Sequence, residues 1–301
     1  MMSTVFLLGL LYAVFVTVLF LVGVKLVFIL VIAFVLLFVQ YFYSDRIALY
    51  SMKGKIVTRE QAPQLHGVVD RLCAMADMPK PQVAIADVDM PNAFATGRDQ
   101  KHAVVCVTSG ILRRLNEPEL EAVLAHELSH VAHRDVAVMT IASFLGILAG
   151  LLTRVLLYAG LFGGFGGGGG NRGRGGGGGG GGGGQLAILE LGMLLFSAVI
   201  YAISFLLIRT LSRYRELAAD RSGAILIGQP RLLAQALVKV TGEMSRVPTR
   251  DLRSAEHFNA FFFAPAFAKG VSLSTLFSTH PTLERRLQQL TELEAQMGRA
   301  A

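Results

Sequence analysis

Four stretches of the chain carry no charged side chain: residues 1–24, 26–44, 136–153 and 191–208. Each is close to the ~20 apolar residues a helix needs to cross ~30 Å of hydrocarbon, so the pattern predicts four spans. A single helix over residues 4–40 would be ~55 Å long at ~1.5 Å per residue, too long for one crossing. A break at Gly23-Val24-Lys25 therefore predicts a hairpin. The opening block lacks the basic start of a signal peptide, and no small-residue cleavage site separates it from the second block.

Between and after these blocks the periodicity is that of a globular domain. Leu65, Val68, Leu72 and Met75 recur at helical spacing. The capping pattern Thr58-x-x-Gln61 predicts that this helix starts at 58, and Pro79 and Pro81 end it. Residues 83–87 and 104–108 read as strands, and residues 91–97 between them as a loop or a short third strand. Residues 116–133 read as a helix, with Asn116 and Glu119 as a capping box and Pro118 in the first turn. Three more helices are expected over 212–227, 231–244 and 282–297, the last with a stripe of Leu283, Leu287, Leu290 and Leu293. In residues 163–184, 18 of 22 positions are glycine. Such a tract buries little apolar surface and predicts a flexible linker.

Composition agrees with a membrane protein. Hydrophobic residues make up 53% and charged residues 16%, against about 25% charged in ordinary globular proteins. The +7 net charge is patterned. Arg46, Lys53, Lys55 and Arg59 follow the second block; Arg113, Arg114 and Arg134 precede the third; Arg209, Arg213, Arg215 and Arg221 follow the fourth. The positive-inside rule makes all three clusters cytoplasmic. Lying beside spans, they argue for a membrane role over nucleic-acid binding. Cys73 and Cys106 form no close pair and fall in the cytoplasmic part, where thiols stay reduced. The expected organisation is a transmembrane hairpin over 1–40, a cytoplasmic segment over 41–135, a second hairpin over 136–208 and a second cytoplasmic segment over 209–301.

The chemistry begins at His126-Glu127-Leu128-Ser129-His130. On a helix, residues i and i+4 lie ~40° apart around the axis, so both imidazoles can reach one ion. Glu127 projects ~100° to the side, where it can take a proton from a water at the ion's open position. Catalytic zinc usually has three protein ligands. His66, His102, His133, His257, His280 and the carboxylates are the candidates for the third. His133 lies ~10 Å along the axis from His126, which overshoots an ion ~2.1 Å from each ligand. Glu216 and Asp220 share a face of the helix following the fourth block. Glu216 can reach the ion, with Asp220 behind it holding a histidine N–H. Residues Asn92, Ala93, Phe94, Ala95, Thr96 and Gly97 are small and uncharged. An exposed edge there would bind an extended peptide through its backbone. The fold class expected is a mostly α membrane protein: four transmembrane helices plus a cytoplasmic zincin-like α+β metallopeptidase domain with a small sheet.

The chain resembles the HtpX family of bacterial membrane zinc peptidases, related to the eukaryotic CAAX prenyl protease. The matching pieces are Pro91-Asn92-Ala93-Phe94-Ala95-Thr96-Gly97, His126 to His130 with Asp135, Ser212-Arg213-Tyr214-Arg215-Glu216 with Asp220, and Thr279-His280-Pro281 with Arg286. They stand in the family's order and cover nearly the whole chain. The resemblance implies one zinc ion per chain, Glu216 as third ligand, Asp220 and Arg286 supporting the site, and His280 near the oxyanion. It also implies cleavage of membrane proteins, often misfolded ones, at the cytoplasmic face of the inner membrane under stress. The glycine tract is longer than the family requires.

Overall fold

The computed structural model describes residues 2–21, 26–163, 182–244 and 280–300. The chain forms two compact units, one of Met1–Leu37 with Ile141–Ile208 and the other of Phe38–Thr140 with Arg209–Ala301. The expected break at Gly23-Val24-Lys25 and nearly all of the glycine tract lie outside the described residues.

The first unit is helical. It holds α1 (Met2–Leu21), most of α2 (Leu26–Phe42), and the apolar parts of α7 (Asp135–Gly163) and α8 (Gly182–Ile227). Phe15, Leu148, Ala149, Leu152, Met193 and Ile200 form its core, and the rings of Phe15 and Phe196 stack at 6.0 Å. The hydroxyls of Thr153 and Ser197 meet at 2.9 Å, which satisfies two polar groups in apolar surroundings. Among the described residues two stretches are long and apolar enough to cross a membrane, Asp135–Arg154 and Leu191–Ile227. The N-terminal pair is shorter by this measure: the apolar stretch of α1 is Phe6–Val18, and α2 has 17 residues. A second difference is that no boundary separates the fourth apolar block from the helix expected at 212. α8 runs unbroken for 46 residues. The switch from apolar to basic at Arg209 is a change of surroundings, and no glycine, proline or cap accompanies it to end the helix.

The second unit holds α3 (Ser44–Ser51), β1 (Gly54–Ile56), α4 (Pro63–Met75), β2 (Gln82–Ala86), β3 (Ala93–Thr96), β4 (Val104–Thr108), α5 (Ser109–Arg114), α6 (Glu117–Ala132), α9 (Pro230–Met244) and α10 (Leu283–Ala300). α4 starts at Pro63 and not at Thr58. Gln61 does accept from the Thr58 N–H at 2.9 Å, as a cap would. Pro63, however, forces Ala62 out of the helical region (φ −143°, ψ 64°), so residues 58–62 close as a turn.

The sheet order is β1-β2-β4-β3, with β2 and β4 parallel and both outer strands antiparallel to their neighbours. Its two faces follow the two-residue period of the strands. Val83, Val105 and Val107 pack with α4 and α6, while Ala84, Ala86, Val104 and Cys106 pack with Ala48 of α3 and with Met52, the residue that follows it. β3 resolves the choice between loop and strand at 91–97: it is a strand, and among the described residues it pairs with β4 alone, which makes it an edge. Gly97 then turns the chain at φ 132°, where an added Cβ would lie 2.4 Å from the His102 carbonyl oxygen.

α6 has its capping box. Asn116 Oδ1 accepts from the Glu119 N–H at 2.9 Å, and Glu119 Oε2 from the Asn116 N–H at 3.0 Å. α8 lies directly against α6, because Gly223 has no side chain to hold them apart. A Cβ there would meet the His126 backbone nitrogen at 2.7 Å and the Ala125 carbonyl carbon at 2.9 Å. Since backbone must give way, Gly223→Ala is expected to destabilise the protein by about 1–3 kcal/mol. Gly242→Ala on α9, whose Cβ meets nothing within 4 Å, is expected to hold or raise stability. Thermal unfolding of both variants in detergent checks the pair.

Candidate metal centre

α6 carries His126 and His130 one turn apart, with their Nε2 atoms 3.2 Å from each other and their rings nearly perpendicular at 88°. From α8, Glu216 brings Oε1 to 3.5 Å from His130 Nε2 and Oε2 to 3.8 Å from His126 Nε2. One donor atom from each of the three lies within 4.8 Å of the others.

The far side of each ring is held by a carboxylate. His126 Nδ1 is 2.9 Å from Asp220 Oδ1, and His130 Nδ1 is 2.7 Å from Asp135 Oδ2. An ionised carboxylate only accepts, so Nδ1 carries the proton and the Nε2 lone pairs converge on one point. Each carboxylate in turn meets an arginine. Arg286, from α10, donates to both oxygens of Asp220 at 2.7 and 2.6 Å, with both side chains buried. Arg215, the neighbour of Glu216, pairs with Asp135 and donates to the His133 carbonyl at 3.3 Å. The site thus contains two chains of arginine, carboxylate and imidazole, one behind each histidine.

Glu127 is 4% exposed, and its Oε2 accepts the N–H of Ala95 from β3 at 2.9 Å. Burial pushes its carboxyl up to about 8. Burial also lowers the His126 pKa, against the pull of Asp220, which favours the neutral imidazole a metal needs. Besides Glu127, three carboxylates (Asp135, Glu216 and Asp220) face two guanidinium groups (Arg215 and Arg286) around two imidazoles. A divalent cation would offset the excess negative charge. Two imidazole nitrogens and a carboxylate oxygen are a donor set that suits zinc.

His280 Nδ1 lies 2.9 Å from Glu216 Oε2, so this histidine joins the site through the third carboxylate. The other histidines are engaged elsewhere. His66 Nε2 is 3.0 Å from the Val57 carbonyl, His102 pairs with Asp99, and His133 caps α6; His257 lies outside the described residues. Of residues 92–97, Ala93 to Thr96 form β3, whose Ala95 amide points away from β4 toward Glu127. Three participants carry no role in the sequence reading: Asp135 as the partner of His130, Arg215 as the partner of Asp135, and Gly223. For Gly223 a signal exists, because Glu216, Asp220 and Gly223 stand at i, i+4 and i+7 on one helix face.

An HExxH helix, a carboxylate from a second helix and a buried glutamate beside them define a metallopeptidase type of centre. The model of peptidase family M48 matches residues 59–294, and the chain belongs to that family. It is 56% identical to Protease HtpX homolog 1 of Streptomyces coelicolor over 99% of this chain and 92% of that protein. With the Protease HtpX homolog of Moorella thermoacetica it shares 50% identity over 99% and 94%. The crystal structure of S. mikatae Ste24p has the same fold, with a TM-score of 0.54 at 18% identity. That match covers 94% of this chain, which spans 62% of the Ste24p chain.

Glu216→Ala is expected to abolish tight metal binding, while His133→Ala leaves it intact. Asp135→Asn and Asp220→Asn are each expected to weaken affinity by about 10–100-fold. Zinc titration of the purified variants against a chromogenic chelator gives the ranking. A larger loss for His133→Ala than for Glu216→Ala would overturn the ligand assignment.

Proposed function

We propose that the protein is an integral-membrane zinc endopeptidase that cleaves misfolded or unfolded membrane proteins at the cytoplasmic face of the bacterial inner membrane, as part of a stress response. The observation that carries the reading is the convergence of His126, His130 and Glu216 with Glu127 buried beside them. Zinc held there supplies Lewis-acid polarisation of the scissile carbonyl and a more acidic water.

Every other part of the reaction belongs to the chain. Glu127 accepts the proton of the attacking water, and its burial makes it a stronger base than a solvated glutamate. It then delivers that proton to the leaving amine. His280 stands beside Glu216, within the same buried cluster, and stabilises the developing oxyanion. The place of β3 at the end of the sheet, paired with β4 alone among the described residues, supports binding of an extended polypeptide along that edge. Recognition through backbone suits an enzyme whose substrates share unfoldedness and not sequence.

The two long apolar helices support membrane insertion, and the apolar blocks of α1 and α2 support a count of four spans. Basic residues outside the apolar blocks, including Arg46, Lys53, Arg113 and Arg134, support a cytoplasmic position for the unit that carries the site. The partners of this reading are polypeptide substrates and the lipid bilayer, with no nucleic acid.

Glu127→Gln is the deciding variant. Both histidines and Glu216 remain, and an amide oxygen can still accept from Ala95, but it cannot take the water's proton. The variant is expected to keep its zinc and to lose about 10²–10⁴-fold in cleavage of casein and of an unfolded membrane protein. Near-normal turnover at full zinc loading would sink the proposed base.

A further inference from the structure

We propose that α3 and the turn into β1 form an interfacial lipid-binding element that seats anionic phospholipid headgroups. α3 is two-sided. Ala48 and the following Met52 are buried against the sheet at 0% and 6% exposure, and on the other side Tyr43, just before the helix, Ile47 and Tyr50 are exposed at 45%, 47% and 88%. These three positions are spaced i, i+4 and i+7, so they form one stripe. The stripe continues the exposed apolar residues Phe38, Val39 and Phe42 at the end of α2 in the same unit. An apolar stripe that carries on from an apolar helix is matched by the hydrocarbon and interface of a bilayer.

The residues beside the stripe favour lipid over a protein partner. Tyr at such a position sits well at headgroup depth, with its ring in the apolar zone and its hydroxyl in water. Arg46 lies over the Tyr43 ring at 5.7 Å, which brings a guanidinium to the same face. Lys53 and Lys55 follow directly and are exposed. Three cations around an aromatic stripe, with Asp45 as the sole acid in residues 43–56, are complementary to anionic headgroups. The element would fix the depth at which this unit meets the membrane.

The inference rests on the membrane reading above, and its test separates the two. The chain contains no tryptophan, so each single-tryptophan variant gives an unambiguous signal. Tyr50→Trp and Phe34→Trp, the second in the apolar part of α2, are reconstituted as full-length protein. The vesicles are phosphatidylcholine with equal phosphatidylglycerol, carrying bromine on the acyl chain either near the carbonyl or deep. The Tyr50→Trp emission should be blue-shifted and quenched mainly by the shallow bromine, with Phe34→Trp quenched mainly by the deep one. Adding Lys53→Glu with Lys55→Glu, or using vesicles of phosphatidylcholine alone, should reduce the quenching in the Tyr50→Trp protein and leave that in the Phe34→Trp protein unchanged. A quenched Phe34→Trp beside a water-like Tyr50→Trp overturns the lipid element alone. So does a Tyr50→Trp emission that is blue-shifted but untouched by bromine, which marks a contact with protein. Two water-like emissions overturn the membrane reading with it.

Discussion

The orientation of two imidazole rings is the constraint on which the site depends. A histidine presents one lone pair, and the nitrogen that carries it is set by what the other nitrogen binds. Here the Nδ1 atoms face Asp220 and Asp135, and the Nε2 atoms face each other. Those carboxylates are buried, and a buried carboxylate left without a counter-charge is costly. Arg286 and Arg215 neutralise them, and their own placement draws in the rest of the unit. Arg286 requires α10 to lie on α8, where Gln289 also donates to the Leu217 carbonyl at 2.6 Å. Arg215 joins α8 to the first turn of α7 and to the end of α6. The close approach at Gly223 is part of the same requirement, since any side chain there would separate the helix bearing the two histidines from the helix bearing Glu216.

The parts of the structure legible in the sequence are those written in local chemistry. The start of α6 follows from Asn116, Pro118 and Glu119, and the two central strands follow from their β-branched residues, the first of them bounded by Pro81 and Asp87. The pairing of His126 with His130 follows from helical geometry alone. What escapes is either a competition between local signals or a matter of distance in the chain. At Thr58 a capping pattern and Pro63 make opposing demands, and the proline prevails because its ring acts on the backbone directly. The sheet order, with β3 at the edge and its Ala95 amide on Glu127, depends on contacts that no local pattern encodes. The length of α8 escapes for a different reason: polarity changes at Arg209, but nothing there stops a helix.

The site also joins parts of the chain that are remote from one another. His126 and His130 precede the long apolar stretch of α7, while Glu216, Asp220 and Arg286 follow that of α8. Bringing them together closes a loop of most of a hundred residues, which is slow to form by chance encounter. The buried ion pairs repay that closure only when all of them are in place, so the half-built site gains little.

The unbroken course of α8 has a consequence for how Glu216 is aimed. A helix has no swivel: each residue is locked in phase with those before it, at ~100° and ~1.5 Å per step. Glu216 lies seven positions before Gly223, where α8 touches the backbone of α6, with no joint between them. Adding or deleting one residue in that interval would swing the carboxylate to another side of the helix, even with every residue of the centre retained. This short interval works as a gear tooth, tolerant of many exchanges of side chain and intolerant of any change in count.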